Sequence, residues 1–279
     1  MVVGIIGLGL IGGSMAIDLK KDSRESEILG YDRSELHLQT AVKLGIIDRA
    51  VDLEGIMEAD VIVLAVPVGA AVDLLPWLLD RIDKQIVTDV GSTKASLCAQ
   101  VENHPKRPQY VSAHPMAGTE FSGPWAARPG LFEGCAVIIC DKEKSSMDAL
   151  NAVTSLFHSL HMRPVYMNSV EHDMHAAYVS HISHISSFAL ALTVLEKEED
   201  TRSIFNLASG GFSSTVRLAK SSKDMWTPIF ADNAENILPV LDTYVEKMQA
   251  FRAAIAEGDI EKINGLIIEA NRIKKILLK

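Results

Sequence analysis

The stretch that decides the fold is Val2-Val3-Gly4-Ile5-Ile6-Gly7-Leu8-Gly9-Leu10-Ile11-Gly12-Gly13-Ser14, in which closely spaced glycines follow a compact apolar run at once. The apolar run predicts a strand that is buried on both faces. A predicted helix over 14–21 and a second predicted strand ending at Asp32 come next. The order strand, G-x-G-x-x-G, helix, strand and acid is typical of a dinucleotide-binding βαβ unit.

Each position of this pattern has a physical reason. Gly7 permits the tight turn, Gly9 lets the backbone approach a pyrophosphate, and Gly12 lets the helix pack closely on its strand. Asp32 accepts hydrogen bonds from a ribose and so favours NAD over NADP, although Arg33 directly after it can also pair with a 2′-phosphate. The alternative is that the glycines serve only a tight turn. We expect NAD as the cofactor, bound by Gly7, Leu8, Gly9, Leu10, Ile11, Gly12, Asp32, Arg33, Val66, Pro67 and Ser92.

Composition and charge describe an ordinary globular chain. Of the 279 residues, 48% are hydrophobic and 23% are charged, which argues against disorder. The formal net charge of −9 argues against nucleic-acid binding, which needs a basic surface. The apolar segment 2–17 is interrupted by glycines and lacks the flanks of a signal or a membrane span. With 3 cysteines, we expect a reduced, cytoplasmic protein without a membrane partner.

Predicted strands and helices alternate through Met167, and every apolar segment after Asn168 has helical spacing. The predicted fold class is therefore an α/β Rossmann-type dinucleotide-binding domain, residues 1–168, followed by an all-α domain, residues 169–279. In the second domain, Ser169 is the predicted cap of a single helix over 170–195, and the glycines at 210 and 211 predict a turn. So much apolar helical surface outside a sheet predicts a homodimer interface.

A candidate base lies where a predicted strand, 109–111, breaks into the glycine-containing loop 112–123. His114 stands at the start of that loop, at the sheet edge where α/β proteins bind ligands, and imidazole suits proton transfer near neutral pH. Ser92 follows the preceding predicted strand. It is interpreted either as a helix cap or as a partner of a substrate hydroxyl beside His114.

The helical half carries further polar residues on apolar segments. Histidines 172, 175, 181 and 184 lie on one predicted helix; satisfied core histidines or a zinc site are the alternatives. Neither H-E-x-x-H nor a ligand cysteine or carboxylate stands at the required spacing, so no metal is expected. Arg217 lies among Val216, Leu218 and Ala219, where burial requires a carboxylate partner from the protein or from a ligand.

Five motifs of the chain occur in this order in one enzyme family. They are Gly7 to Ser14, Asp89-Val90-Gly91-Ser92-Thr93-Lys94, His114-Pro115-Met116-Ala117-Gly118-Thr119-Glu120, Ser180-His181-Ile182-Ser183-His184, and Gly210-Gly211-Phe212 to Arg217. On these motifs the chain resembles the prephenate and arogenate dehydrogenases along nearly its whole length. The resemblance implies oxidative decarboxylation of prephenate or arogenate in tyrosine biosynthesis, and a homodimer made by the helical domain.

The resemblance also implies roles for individual residues. His114 takes the proton of the ring hydroxyl, Ser92 positions that histidine and hydroxyl, and Arg217 binds a substrate carboxylate. His184 contacts substrate, and Glu120 is linked to gating of the pocket. Because aromatisation drives the reaction, no metal is needed.

Two departures from the family pattern leave the choice of substrate open. Ser183 replaces a proline of relatives, and Ser213, which we count among the substrate-binding positions, replaces a basic residue. Two other interpretations also stay open. The first is a dehydrogenase of the 3-hydroxyacid type, although the long helix has no lysine between Ser169 and Glu196. The second is a non-catalytic NAD-binding module, which has no need of Ser92, His114 and Arg217 together.

Overall fold

An eight-stranded sheet forms the centre of the N-terminal part of the protein. The structure, a computed structural model, describes residues 1–22, 27–201 and 204–277. The strands are β1 (Val2–Ile6), β2 (Glu27–Tyr31), β3 (Arg49–Ala50), β4 (Val61–Leu64), β5 (Ile86–Asp89), β6 (Tyr110–Pro115), β7 (Ala136–Cys140) and β8 (Arg163–Met167).

The strand order places a crevice beside β1. Across the sheet the strands lie in the order β3-β2-β1-β4-β5-β6-β7-β8, and all neighbours are parallel except β6 and β7. Because the chain builds outward from β1 in both directions, the loops after β1 and β4 diverge at a topological switch point. The predicted Rossmann-type α/β fold is confirmed.

Helices cover both faces of the sheet. In β4, Val61 and Val63 join the apolar cluster on one face, whereas Ile62 and Leu64 join the cluster on the other, as the alternation of side chains along a strand requires. The helices of this part are α1 (Leu10–Asp22), α2 (Glu35–Lys43), α3 (Val68–Arg81), α4 (Ala95–Gln100) and α5 (Met147–Ser159).

Helix α1 begins inside the glycine pattern, at Leu10, and not at Ser14 as the sequence predicted. Glycine's low helix propensity favoured the later start. In the folded protein, a Cβ on Gly12 would lie 2.0 Å from the carbonyl oxygen of Gly7. The missing side chain therefore lets the helix begin directly on the turn.

The described residues from Ser169 onward form helices only. Their predicted details differ in three places: the side chain of Asn168, and not Ser169, caps the first helix, a π-helical turn at Ala177–His181 interrupts the long helix, and the paired glycines lie in a helix. The helices are α6 (Ser169–Ala176), α7 (Ile182–Thr201), α8 (Gly210–Thr215), α9 (Lys223–Asp232), α10 (Ala234–Glu257), α11 (Ile260–Ala270) and α12 (Lys274–Leu277).

Tertiary contacts explain why the glycines join a helix. Ser187 on α7 donates a hydrogen bond to the carbonyl of Thr215 at 3.0 Å and accepts one from the amide of Ala219 at 3.1 Å. This side chain holds the end of α8 in place, and such contacts outweigh weak local propensity.

By packing, the chain forms two compact units, Met1–Asn233 and Ala234–Lys279. Helices α6 to α9 belong to the first unit, together with the sheet, because α6 contacts α4 and α9 contacts α3. The expected boundary at 168/169 describes the change from α/β to all-α structure and does not coincide with this division.

One helical run is long and apolar enough to cross a membrane by length and composition alone. It spans Ser169–Lys197 and has a mean hydropathy of 1.3 in its most apolar window, of which 11% is buried within the single chain. Its apolar surface therefore lacks a covering partner in the described part of one chain.

A fully buried ion pair joins β5 to the segment that follows it. Lys94 Nζ pairs with the carboxylate of Asp89, and neither side chain is exposed to solvent. Lys94 Nζ also donates to the carbonyl of Ala113 at 2.8 Å, and the Tyr110 hydroxyl donates to Asp89 at 2.7 Å. Buried charges are tolerated only when they are paired and hydrogen-bonded in this way.

Replacing this lysine tests the buried pair. Lys94→Met leaves the Asp89 charge without a counter-ion, and we expect the free energy of unfolding to fall by about 3–5 kcal/mol. Urea denaturation measures it. Lys144→Met, which removes an exposed lysine paired with Glu102, is the control and should change stability little. Equal stability of Lys94→Met and the wild type would contradict the assignment.

Candidate active site

The carboxyl ends of four neighbouring strands bring several of the predicted site residues to one edge of the sheet. The glycine turn follows β1, Val66 and Pro67 follow β4, Ser92 follows β5, and His114 is the penultimate residue of β6. Because β1, β4, β5 and β6 are adjacent and parallel, residues far apart in sequence share this edge. Ligands of open α/β sheets bind at such an edge.

The glycine turn fits the pyrophosphate of a dinucleotide. Gly7 has φ +96°, and a Cβ there would lie 2.4 Å from the carbonyl oxygen of Ala65. At Gly9, in contrast, an added Cβ would meet nothing within 4 Å, so the backbone on that side is open to a ligand. The first amides of α1 have no partner within the helix and can bind phosphate oxygens.

Asp32, the candidate ribose-binding residue, lies beside the glycine turn. Its carboxylate accepts hydrogen bonds from the amides of Leu8 at 2.9 Å and Ser34 at 2.8 Å, so it holds the glycine turn and still has free lone pairs for ribose hydroxyls. His37 Nδ1 lies 3.5 Å from the same carboxylate, and Arg33 is exposed. A carboxylate at this position favours an unphosphorylated ribose.

The ring of His114 is held by a second histidine. Nδ1 of His114 lies 2.8 Å from Nε2 of His172, and Nδ1 of His172 lies 2.7 Å from Oδ1 of Asp173. His172 and Asp173 are each 3% exposed. Burial lowers the pKa of His114 well below its ordinary value, and the neighbouring His172, Lys94 and His181 lower it further. His114 is therefore neutral near pH 7 and able to accept a proton.

The carboxylate of Asp173 connects the helical segment to the sheet. It accepts hydrogen bonds from the backbone amides of Lys94 and Ala95, each at 2.8 Å. Asn233 donates to the carbonyl of Asp173 at 2.8 Å and contacts Nδ1 of His181 at 3.1 Å. These bonds fix the start of α4, helix α6 and the π-helical turn against one another.

An ion pair links the loop after β6 to the residues after α8. Arg217 donates to Oε2 of Glu120 at 2.9 Å, with side-chain exposures of 49% and 14%. A hydrogen bond from its own backbone and the Arg217 guanidinium lower the pKa of Glu120, against the opposing effect of burial. Arg217 does have the expected carboxylate partner, but it is half-exposed and free to meet a ligand from solvent.

The ring of His184 stacks on an aromatic side chain. The stacking partner is Trp226, with centroids 3.4 Å apart, and Nδ1 of His184 donates to the carbonyl of Ser180 at 3.0 Å. Burial lowers the pKa of His184; the Ser180 hydrogen bond raises it and the charge of Arg217 lowers it. The neutral ring therefore presents Nε2 as an acceptor. His181 is 1% exposed, and burial lowers its pKa to about 4.

The two serines among the predicted site residues have different surroundings. Ser92 is half-buried in the turn before α4 and does not cap that helix; Asp173 binds the α4 amides instead. The direct partner of His114 Nδ1 is His172 and not Ser92. Ser213 is exposed within α8.

Sequence reasoning missed the roles of His172 and Asp173. The adjacent histidine and acid in the first turn of a predicted helix were the available signal, but a contact across 58 residues is decided only by folding. Within the ranges described by the structure, no group of three or more histidine, cysteine, aspartate or glutamate residues has metal-binding geometry.

Two family models cover most of the chain. "Prephenate dehydrogenase, nucleotide-binding domain" matches residues 15–166, and "Prephenate dehydrogenase, dimerization domain" matches residues 168–268. The prephenate dehydrogenase of Lactococcus lactis subsp. cremoris is 32% identical over 279 residues, which cover 98% of this chain and 76% of the relative.

Solved structures agree with this assignment. Prephenate dehydrogenase from A. aeolicus, in complex with hydroxyphenyl propionate and NAD+, has a TM-score of 0.89 and 29% identity, covering 100% of this chain and 98% of the other. Synechocystis arogenate dehydrogenase has a TM-score of 0.76 and 26% identity, covering 99% and 100%. The resemblance seen in the motifs is thereby confirmed, and the chain belongs to the prephenate dehydrogenase family.

Proposed function

We propose that this chain catalyses the NAD-dependent oxidative decarboxylation of prephenate to 4-hydroxyphenylpyruvate, a step of tyrosine biosynthesis. The observation that carries the proposal is His114, a neutral imidazole fixed at the cofactor edge of the sheet. Family membership supports the same reaction.

The cofactor assignment rests on the glycine turn and Asp32. Bound NAD supplies the hydride acceptor of the reaction. The amides at the start of α1 bind its pyrophosphate, the open side of Gly9 lets the phosphates approach, and Asp32 accepts the ribose hydroxyls. Val66 and Pro67 border the crevice from β4. The exposed Arg33 is compatible with NADP, which we rank second because of the neighbouring carboxylate.

His114 serves as a base and then as an acid. As hydride leaves the carbinol carbon, Nε2 takes the proton of the ring hydroxyl. When the ring carboxylate departs as CO₂, its electron pair enters the ring, and the same proton returns to the oxygen as the ring becomes aromatic. No net proton is released, so the imidazole needs to hold the proton only between these two events. Ser92, on the neighbouring strand end, is proposed to hydrogen-bond the same hydroxyl.

The substrate carboxylate is proposed to bind at Arg217. Its guanidinium already holds the carboxylate of Glu120, so an anionic substrate competes for a preformed site and releases the loop after β6. This exchange is a physical basis for gating by Glu120. His184, stacked on Trp226, offers a neutral acceptor on the same side, and Ser213 lies on the adjacent helix α8.

Arogenate is the alternative substrate. It differs from prephenate by an ammonium group in the side chain, and Glu120 next to Arg217 can pair with that cation while the arginine binds the carboxylate. The likeness to Synechocystis arogenate dehydrogenase supports keeping this alternative.

We further propose that the protein is a cytoplasmic homodimer. The apolar helices carry exposed residues such as Leu192, Leu238 and Met248. The Ser169–Lys197 run carries His172 and Asp173, which are hydrogen-bonded within the site, and such residues are costly in a lipid bilayer. A second copy of the chain, and not a membrane, is therefore the proposed cover.

Turnover tests the reaction and its base together. Protein with NAD and prephenate should produce reduced nicotinamide, measured by absorbance, and parallel assays with arogenate and with NADP should be slower.

His114→Asn should lower kcat by roughly two to four decades while NAD still binds. Because the pKa of His114 is lowered, kcat of the wild type should stay constant as the pH falls through the range in which an ordinary histidine becomes protonated. It should fall only at more acidic pH, where His114 itself takes up a proton. Near-normal kcat in His114→Asn would refute the base.

Substitution of Arg217 tests the anchor. Arg217→Gln removes a charged hydrogen-bond donor, and KM for prephenate should rise by roughly 10- to 100-fold with kcat little changed. Steady-state kinetics measure both. Arg81→Gln, an exposed arginine on α3, is the control. An unchanged KM in Arg217→Gln would exclude the anchor.

Sedimentation equilibrium tests the dimer. At micromolar concentration the protein should have twice the mass of the 30.4 kDa chain. Ile255→Glu adds a charge to the exposed apolar surface of α10 and should shift the protein toward monomer, whereas Lys84→Glu should not. A monomeric wild type would rule out this assembly.

A further inference from the structure

The surroundings of His114 contain an unbroken line of three side chains, which we name the His–His–Asp chain: His114, His172 and Asp173. The nitrogen–nitrogen distance is 2.8 Å and the nitrogen–oxygen distance is 2.7 Å. His172 and Asp173 are each 3% exposed. The inner two members are therefore shielded from water and have defined partners.

The direction of the hydrogen bonds follows from the carboxylate end. Asp173 accepts from the amides of Lys94 and Ala95, so its carboxylate acts as an acceptor toward His172 as well. Nδ1 of His172 must then carry the hydrogen and donate it. In neutral imidazole the other nitrogen is an acceptor, which leaves Nε2 of His172 to accept from His114.

The same logic fixes the tautomer of His114. Its Nδ1 carries the hydrogen that is donated to His172, and its Nε2 has the free lone pair. A histidine base at the end of such a chain is oriented by its partner in the way that a carboxylate orients the histidine of a catalytic triad. The nitrogen left free is the one that the proposed reaction requires.

We propose that His172 and Asp173 are positioning residues, which hold His114 in the Nε2-basic tautomer and support its cation between the oxidation and the return of the proton. This inference rests on the proposed function of His114. It assigns no direct contact with substrate to either residue.

The charges around His114 explain why such support matters. The charged and titratable groups that act on it are His172 on α6, Lys94, which is hydrogen-bonded to the β6 carbonyl of Ala113, and His181 in the π-helical turn, and all three disfavour a positive imidazole. Asp173 supplies the negative charge at the far end of the chain. The acceptor at Nδ1 therefore offsets part of the cost of holding a proton on a buried ring.

Two substitutions of His172 separate hydrogen bonding from packing. His172→Phe keeps a ring in the space and removes the acceptor, and kcat should fall on the order of a hundredfold with KM for NAD unchanged. His172→Gln restores an acceptor oxygen and should recover much of kcat. His175→Gln changes an exposed histidine on the same helix and is the matched control. Asp173→Asn should lower kcat in the same way as His172→Phe.

Nitrogen-15 spectra of the histidine rings test the tautomer without substrate. In the full-length protein, His114, assigned by the signals lost in His114→Asn, should carry its hydrogen on Nδ1, and His172→Phe should abolish that preference. A folded His172→Phe protein with wild-type kcat and the same His114 tautomer would overturn the inference. So would a His172→Gln variant no more active than His172→Phe.

Failure of the proposed function has a different signature. A wild type inactive on both prephenate and arogenate would refute the reaction, while the ring spectra would still report the state of the His–His–Asp chain. If His172→Phe does not fold, Asp173→Asn takes its place with His172→Gln as the conservative comparison, and a folded Asp173→Asn protein with wild-type kcat and the wild-type His114 tautomer would overturn the inference.

Discussion

The hydrogen bonds of one carboxylate, that of Asp173, organise this protein. A buried charge must be matched by donors, and these come from the α4 amides at Lys94 and Ala95 and from the ring of His172. Through these bonds the first helix of the all-α segment is tied to the sheet edge that carries His114. The site is therefore composed of both parts of the chain, and neither part supplies it alone.

The side chains near Asp173 are mainly neutral imidazoles, together with a small number of charged groups. Burial lowers the pKa of His114, His181 and His184, so these rings act as neutral donors and acceptors near pH 7. Lys94 is neutralised by Asp89 in the core. This leaves the half-exposed Arg217, paired with Glu120, as the proposed anchor of an anionic substrate. The proposed chemistry needs that division between a neutral base and a cationic anchor.

The cofactor half was predictable because its signals are local. Gly7, Gly9 and Asp32 lie within one βαβ unit, and the turn, the close approach and the acceptor proposed for them depend on near neighbours in sequence. Errors arose where tertiary contacts outweighed propensity. Helix α1 begins earlier than predicted because glycine allows close packing on the strand, and the glycines before Phe212 are helical because Ser187 binds the end of that helix.

The sequence by itself determined the Rossmann-type sheet, the all-α second half and the family, and it singled out His114 and Arg217 as candidate site residues. Hydrophobic periodicity and glycine spacing are properties of neighbouring residues, so they can be read without coordinates. Only the tertiary structure decided which groups surround His114. His172 approaches His114 across 58 residues of sequence, and no local pattern encodes that meeting, because it depends on how α6 docks on the sheet through Asp173.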